Sequence, residues 1–247
     1  MYVLGITMAE QFQARATLEA IISDGIAIDL YHAHEASSLD LFIGERAAAI
    51  NEASFGAFFG NIQLILGRYQ ALSVARMFES ASKRFTLRSI PSALAILKEH
   101  GHLLPIEQRP GLERELRRLG ADAETISKLQ DGELTEFVAE FFEERLRNLK
   151  VGDRTSLEVV EDLKTVRDKL LVHHEHVDVA AMKRPTYAEL DALLQYAREF
   201  VAAVGFSYFS IAYTDDNGTY GLDADATRST RCLGRVLKSL GISDHDA

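Results

Sequence analysis

ASFGAFFGNIQLILGRYQALSVARMFESASKR, residues 53–84, is the stretch that decides the fold. Phe58, Ile62, Leu66, Tyr69, Leu72, Ala75 and Phe78 recur at spacings of three and four, which gathers them on one face of a helix. The spacing predicts a single long helix from Ala53 to Arg84. An apolar stripe of that length must be covered, and the rest of the chain offers more helices rather than strands to cover it.

The same period returns in Glu133–Leu149 through Leu134, Phe137, Phe141 or Phe142, Leu146 and Leu149. Ser156 is placed to cap a further helix with Leu157, Val160, Leu163, Val166 and Leu170 on its apolar face. After the loop Lys183-Arg184-Pro185, Thr186 and Glu189 have the spacing of a capping box. They open a helix through about Tyr213 whose stripe is Leu190, Leu193, Ala197, Phe200, Val204 and Ile211. Weaker patterns predict one or two helices over 9–34, broken at Gly25, and a short helix Ser92–Glu99 after the break at Ser89-Ile90-Pro91. Residues 105–110 form a loop, followed by a heavily charged helix Gly111–Leu119. A last helix covers about Ala226–Leu240. With only four prolines in 247 residues and almost no alternating pattern, the expectation is an all-α, antiparallel helical bundle with additional helices. Its divisions are a helical extension over 1–50, the main helical domain over 51–213, and a polar tail with a weak helix over 214–247.

Composition narrows the function. A hydrophobic share of 47% is ample for a core, and the net charge of −10 argues against broad, non-specific nucleic-acid binding. A local basic cleft that grips a few phosphates remains compatible with it. The one cysteine, Cys232, permits no internal disulfide and fits a reducing cytoplasm. Residues 1–10 lack the basic segment and apolar run of a signal peptide. No stretch has the length of a membrane span.

The chemistry concentrates in Arg167-Asp168-Lys169-Leu170-Leu171-Val172-His173-His174. A guanidinium is permanently charged and grips phosphate with two donors at once. An imidazole titrates near neutrality and can move a proton. Together these groups suffice to cleave RNA without a metal. On an unbroken α-helix, residues seven apart share a face, so Arg167 would align with His174 and leave His173 off the line. The bland alternative is a solvated helix end with cations suited to the dipole. A metal reading would gather His173, Glu175, His176 and Asp178, with His32 and His34, but a complete ligand set is not evident. The run Glu113–Arg118 reads as a solvated face laced with ion pairs, and Phe206, Tyr208, Phe209 and Tyr213 read as core or dimer surface before a stacking platform.

This run resembles the signature of the HEPN superfamily, in which an Arg and a following polar residue precede a His at this spacing. Leu163–Glu175, LKTVRDKLLVHHE, and Gly60–Leu94, GNIQLILGRYQALSVARMFESASKRFTLRSIPSAL, look most like its abortive-infection AbiU branch. The resemblance covers roughly Phe55–Gly205 and is specific only over residues 161–178. It implies a HEPN-like bundle that pairs as a homodimer through the motif-bearing helices. It also implies one of two functions: a metal-independent RNA-cleaving toxin or phage-defence effector, or a non-catalytic module binding RNA, nucleotide or a protein. Under the first, the catalytic set is Arg167, His173 and Asp168, with His174 as the alternate imidazole. RNA is then the substrate, an antitoxin is a candidate partner, and no cofactor or metal is required. The chain departs from the pattern in one place. Toxins inactivated by nucleotide transfer carry a Tyr two residues beyond the motif His, where this sequence has Glu175.

Overall fold

A computed structural model of the chain describes residues 8–82, 84–172, 183–214 and 220–242. Helices dominate these residues. The only sheet among them is a hairpin of two-residue strands, β1 (Lys150–Val151) and β2 (Arg154–Thr155), with Lys150 opposite Thr155. The all-α reading therefore holds.

Helix α1 (Met8–Ile21) passes through a π-helical turn, Ile22–Ile26, into α2 (Ala27–Glu45). The expected break at Gly25 is instead a widening, in which the helix absorbs one extra residue and continues. Glycine is required there by close approach: a Cβ on Gly25 would lie 2.3 Å from the Cβ of Arg88. A short α3 (Ala47–Glu52) turns the chain into α4 (Gly56–Met77). Helix α4 returns antiparallel along α2. Gln63 Nε2 donates to the Asp40 carbonyl at 3.3 Å, the rings of Tyr69 and His32 lie 5.3 Å apart, and Arg76 forms an ion pair with Asp29.

The long helix is thus shorter than expected, ending at Met77, and its stripe is displaced. Phe58 and Tyr69 are 60% and 38% exposed, while Phe59, Gln70, Ser73, Val74 and Met77 are buried. Neighbours cover α4 on more than one side, so the interior selects positions that the apolar residues alone do not mark.

Ser89 caps α5 (Ile90–His100), accepting from the Ser92 amide, with Pro91 in the first turn where its missing N–H costs nothing. Then follow α6 (Arg109–Arg118), α7 (Ala123–Lys128) and α8 (Asp131–Asn148). After the hairpin come α9 (Ser156–Val166), a second π-helical stretch (Arg167–Val172), α10 (Tyr187–Phe209) and α11 (Gly221–Ser239). The predicted capping box at Thr186 and Glu189 is present and opens α10. Helix α10 stops at Ser210, a residue in the left-handed conformation (φ 54°), short of the expected Tyr213.

Helix α10 is the central element, buried along nearly its whole length. Phe200 meets Phe142 of α8 edge to face at 5.1 Å, and the buried Tyr196 hydroxyl donates to the Phe142 carbonyl at 2.8 Å. Tyr208 is likewise buried, donating to Thr135 Oγ1 at 2.9 Å, and Phe209 is buried beside it; these two members of the aromatic cluster are core, while Phe206 and Tyr213 are half-buried. The main core joins residues from α1 to α10, while a smaller one (Ile43, Ile50, Phe59, Leu237, Ile242) seats α11 against α2 and α4. On α6 the charge run makes local pairs, Arg117 and Arg109 to Glu113 and Arg118 to Glu115, as a solvated face should.

Candidate functional site

The motif segment is positioned by its start. Thr155, not Ser156, caps α9: its Oγ1 accepts from the Glu158 amide, and the Glu158 carboxylate accepts from the Thr155 amide at 2.8 Å. The Ser156 hydroxyl instead donates back to the Leu146 carbonyl, fixing α9 to the end of α8. Arg154 pairs with Asp162 on α9 and with Glu189 Oε1 at 3.1 Å. Glu189 also accepts from the Thr186 amide at 2.7 Å, so one carboxylate caps α10 and ties the starts of α9 and α10 together. Burial works against the charge on Glu189, but the Thr186 amide and hydroxyl and the Arg154 guanidinium outweigh it and hold its carboxyl below the usual range.

Val159, Leu163 and Val166 bury the inner face of α9. One residue later the helix widens, and Arg167 opens the π-helical stretch. A π-helix closes its hydrogen bonds from i to i+5, so each residue turns through less than the 100° of an α-helix. The α-helical geometry assumed for a seven-residue alignment is therefore not the geometry of Arg167–Val172. His173 and His174 lie outside the described residues, as do Glu175, His176 and Asp178.

Arg167 Nε donates to Asp168 Oδ1 at 2.7 Å, and Nη1 lies 3.2 Å from Glu79 Oε2 in the segment after α4. The guanidinium is 14% exposed, against 43% and 37% for its two partners. The Asp168 hydrogen bond raises the Arg167 pKa above its ordinary value; burial opposes this and Glu79 adds to it. The site is therefore one fixed cation held by two partly wet carboxylates. Such a cation can hold a phosphodiester, provided the phosphate displaces or outcompetes a carboxylate. Glu79 is the participant that sequence reasoning missed. Only the fold brings it to Arg167, and no spacing rule connects them.

The second region with titratable side chains is the α2–α4 seam. The Asp29 carboxyl is pushed up by burial, against the lowering effect of Arg76. His34 Nδ1 accepts from Arg198 at 2.6 Å, which places the imidazole proton on Nε2. Among the described residues no group of three or more His, Cys, Asp or Glu could hold a metal ion, and no helix is long and apolar enough to cross a membrane.

The model of the HEPN family described as AbiU2 matches residues 15–227, from α1 into α11, with Arg167 and Asp168 inside the match. No curated protein and no solved structure matches the chain. The match spans most of the chain and encloses every helix that positions the motif, and so the chain belongs to the AbiU2 family of HEPN proteins.

Proposed function

We propose that the chain is a metal-independent endoribonuclease of the HEPN type, acting in the cytoplasm as a toxin or phage-defence effector. The observation that carries this reading is Arg167. It is a permanently charged guanidinium on the motif segment of an AbiU2-family chain, held by surface carboxylates rather than locked in the core. Arg167 holds the scissile phosphate and offsets the charge that builds on it in the transition state. His173 takes the ribose 2′-hydroxyl proton as the 2′-oxygen attacks phosphorus, or donates a proton to the 5′-oxygen as its bond to phosphorus breaks. His174 is the alternate imidazole. Asp168 orients the guanidinium. The products are a 2′,3′-cyclic phosphate and a 5′-hydroxyl, with no metal in the balance.

A homodimer, with α9 and the exposed start of α10 around Tyr187 in its interface, would bring two Arg–His pairs to one cleft. An antitoxin that covers that cleft is the natural regulator. A second reading, a non-catalytic module that binds RNA or nucleotide or a protein partner, is favoured by one feature: Arg167 already has two carboxylate partners. Incubation of the purified chain with single-stranded RNA and a chelator decides between them. Fragments ending in cyclic phosphate are expected, with light scattering at micromolar concentration reporting twice the 27.5 kDa chain mass. No cleavage by clean protein on any RNA would hand the case to the binding module.

A further inference from the structure

Helix α11 runs against the charge of the chain. The net charge is −10, yet residues 226–242 hold Arg228, Arg231, Arg235 and Lys238 and no acid. Spacings of three and four put these cations on one face of the helix. Arg231, Arg235 and Lys238 are exposed, and none has a carboxylate partner among the described residues. Arg235 donates to Cys232 Sγ at 3.1 Å instead. The three cations line a pocket of about 460 Å³ together with Phe42 and Gly234, so the face is recessed. Val236 and Leu240 are exposed beside them. All four cations lie past residue 227, where the family match ends, so membership of the family does not account for them.

Helix α8 carries the counterpart. Glu136, Glu140 and Glu144 are exposed at spacings of four, and none has a cation partner among the described residues. Their neighbours Asp131 and Glu143 are already paired, with Arg109 and Lys98. The rings of Phe137 and Phe141 stack 6.0 Å apart and are half-buried beside the stripe, which Arg147 ends. Helix α11 is seated on α2 through Leu237 and Ile43, whereas α8 packs on α5 and α10. Each stripe is therefore left to solvent on its own side of the fold.

We propose that the basic face of α11 docks the acidic face of α8 from a second copy of this chain. On both helices an apolar residue follows the charged one by one position: Phe137 after Glu136, Phe141 after Glu140, Cys232 after Arg231 and Val236 after Arg235. In antiparallel packing the charged stripes therefore face each other, and so do the apolar ones. In parallel packing each charge meets an apolar side chain. The antiparallel register sets Glu136 against Lys238, Glu140 against Arg235 and Glu144 against Arg231. Both stripes rise about 10 to 12 Å along their helices, so the three pairs form together. The contact joins two different surfaces, so copies add head to tail and each keeps a face for the next. Exposed ion pairs are individually weak and screened by salt, which makes the assembly reversible and favours it at low ionic strength. It is separate from the homodimer around α9 and does not depend on the ribonuclease reading.

Sedimentation velocity of the full chain at low and at high salt tests this, with reductant present to keep Cys232 free. Species heavier than the base unit, whether monomer or dimer, are expected at low salt, growing with concentration and lost at high salt. The mass at high salt reports on the α9 homodimer independently. Glu140→Arg and Arg235→Glu should each weaken the head-to-tail association about tenfold, since an attraction becomes a repulsion. Neither should move the melting temperature, because both side chains are exposed. The double variant should restore association, as the reversed charges again face each other. A wild-type mass that stays at the base unit at low salt overturns the proposal. So does association that either single reversal leaves intact, or that the double variant fails to restore. Single-stranded RNA or phosphatidylglycerol vesicles bound through Arg235, without self-association, would likewise overturn it and assign the face to that occupant.

Discussion

Arg167, on the π-helical stretch after α9, reaches Glu79 beyond the end of α4 at 3.2 Å, joining two segments that lie far apart in sequence. This pair holds the motif cation in place and also competes for it. Because Glu79 is 37% exposed, the pair stabilises the fold only weakly, by about 1 kcal/mol or less.

Glu79→Gln should therefore melt close to the wild type. It should also free Arg167 for phosphate and raise RNA cleavage or affinity up to about fivefold, the equivalent of ~1 kcal/mol. Parallel melting curves and single-turnover cleavage check both halves. A loss of activity would mean that Glu79 orients the guanidinium rather than competing for it.

Glu189 gives a pH-dependent prediction. Its folded-state pKa lies below the ordinary 4.5, since Thr186 and Arg154 outweigh burial. Its stabilisation is therefore fully present above the unfolded value and is lost as pH falls through the folded one. Glu189→Gln should lose about 1 kcal/mol or more at pH 7. The gap between variant and wild type should narrow steadily below about pH 4.5. Melting temperatures of both proteins across that range test the sign.

Two glycines should respond in opposite directions. Gly67→Ala places a methyl group in open space on a helix and should stabilise by about 1 kcal/mol, or roughly 2–4 °C in Tm. Gly25→Ala drives a Cβ to 2.3 Å from that of Arg88 and should cost about 1–3 kcal/mol. Thermal scans of the two variants separate a helix-propensity effect from a packing requirement.

These contrasts show which features the sequence could carry. Helix α10 was legible because a capping box at Thr186 and Glu189 and a long apolar stripe point the same way. Helix α4 was legible as a helix but not in its facing. Gln70 and Ser73 are interior while Phe58 is exposed, because burial there follows from neighbours on several sides rather than from residue type. The apparent break at Gly25 and the start of the motif are both π-helical. Hydrophobic period does not register one extra residue in a turn. Arg167 stood out by its chemistry. Its tie to Glu79 depends on residues brought together only by folding.

The functional prediction is a set of four variants assayed in chelator. Arg167→Ala should lower cleavage by a factor of about a hundred or more, because the developing phosphate charge loses its partner. It should cost little stability, since the carboxylates it leaves, Glu79 and Asp168, are 37% and 43% exposed and can be hydrated. Arg167→Lys should restore little, as an ammonium lacks the planar two-donor grip. His173→Ala should remove about a hundred- to ten-thousandfold of the rate if it is the general acid or base. His174→Ala should be mild, and the reverse order would exchange the two roles. Cleavage that survives in the Arg167→Ala, His173→Ala double variant would place the chemistry elsewhere in the chain, and cleavage only on addition of a divalent ion would replace the metal-free mechanism with a metal-assisted one.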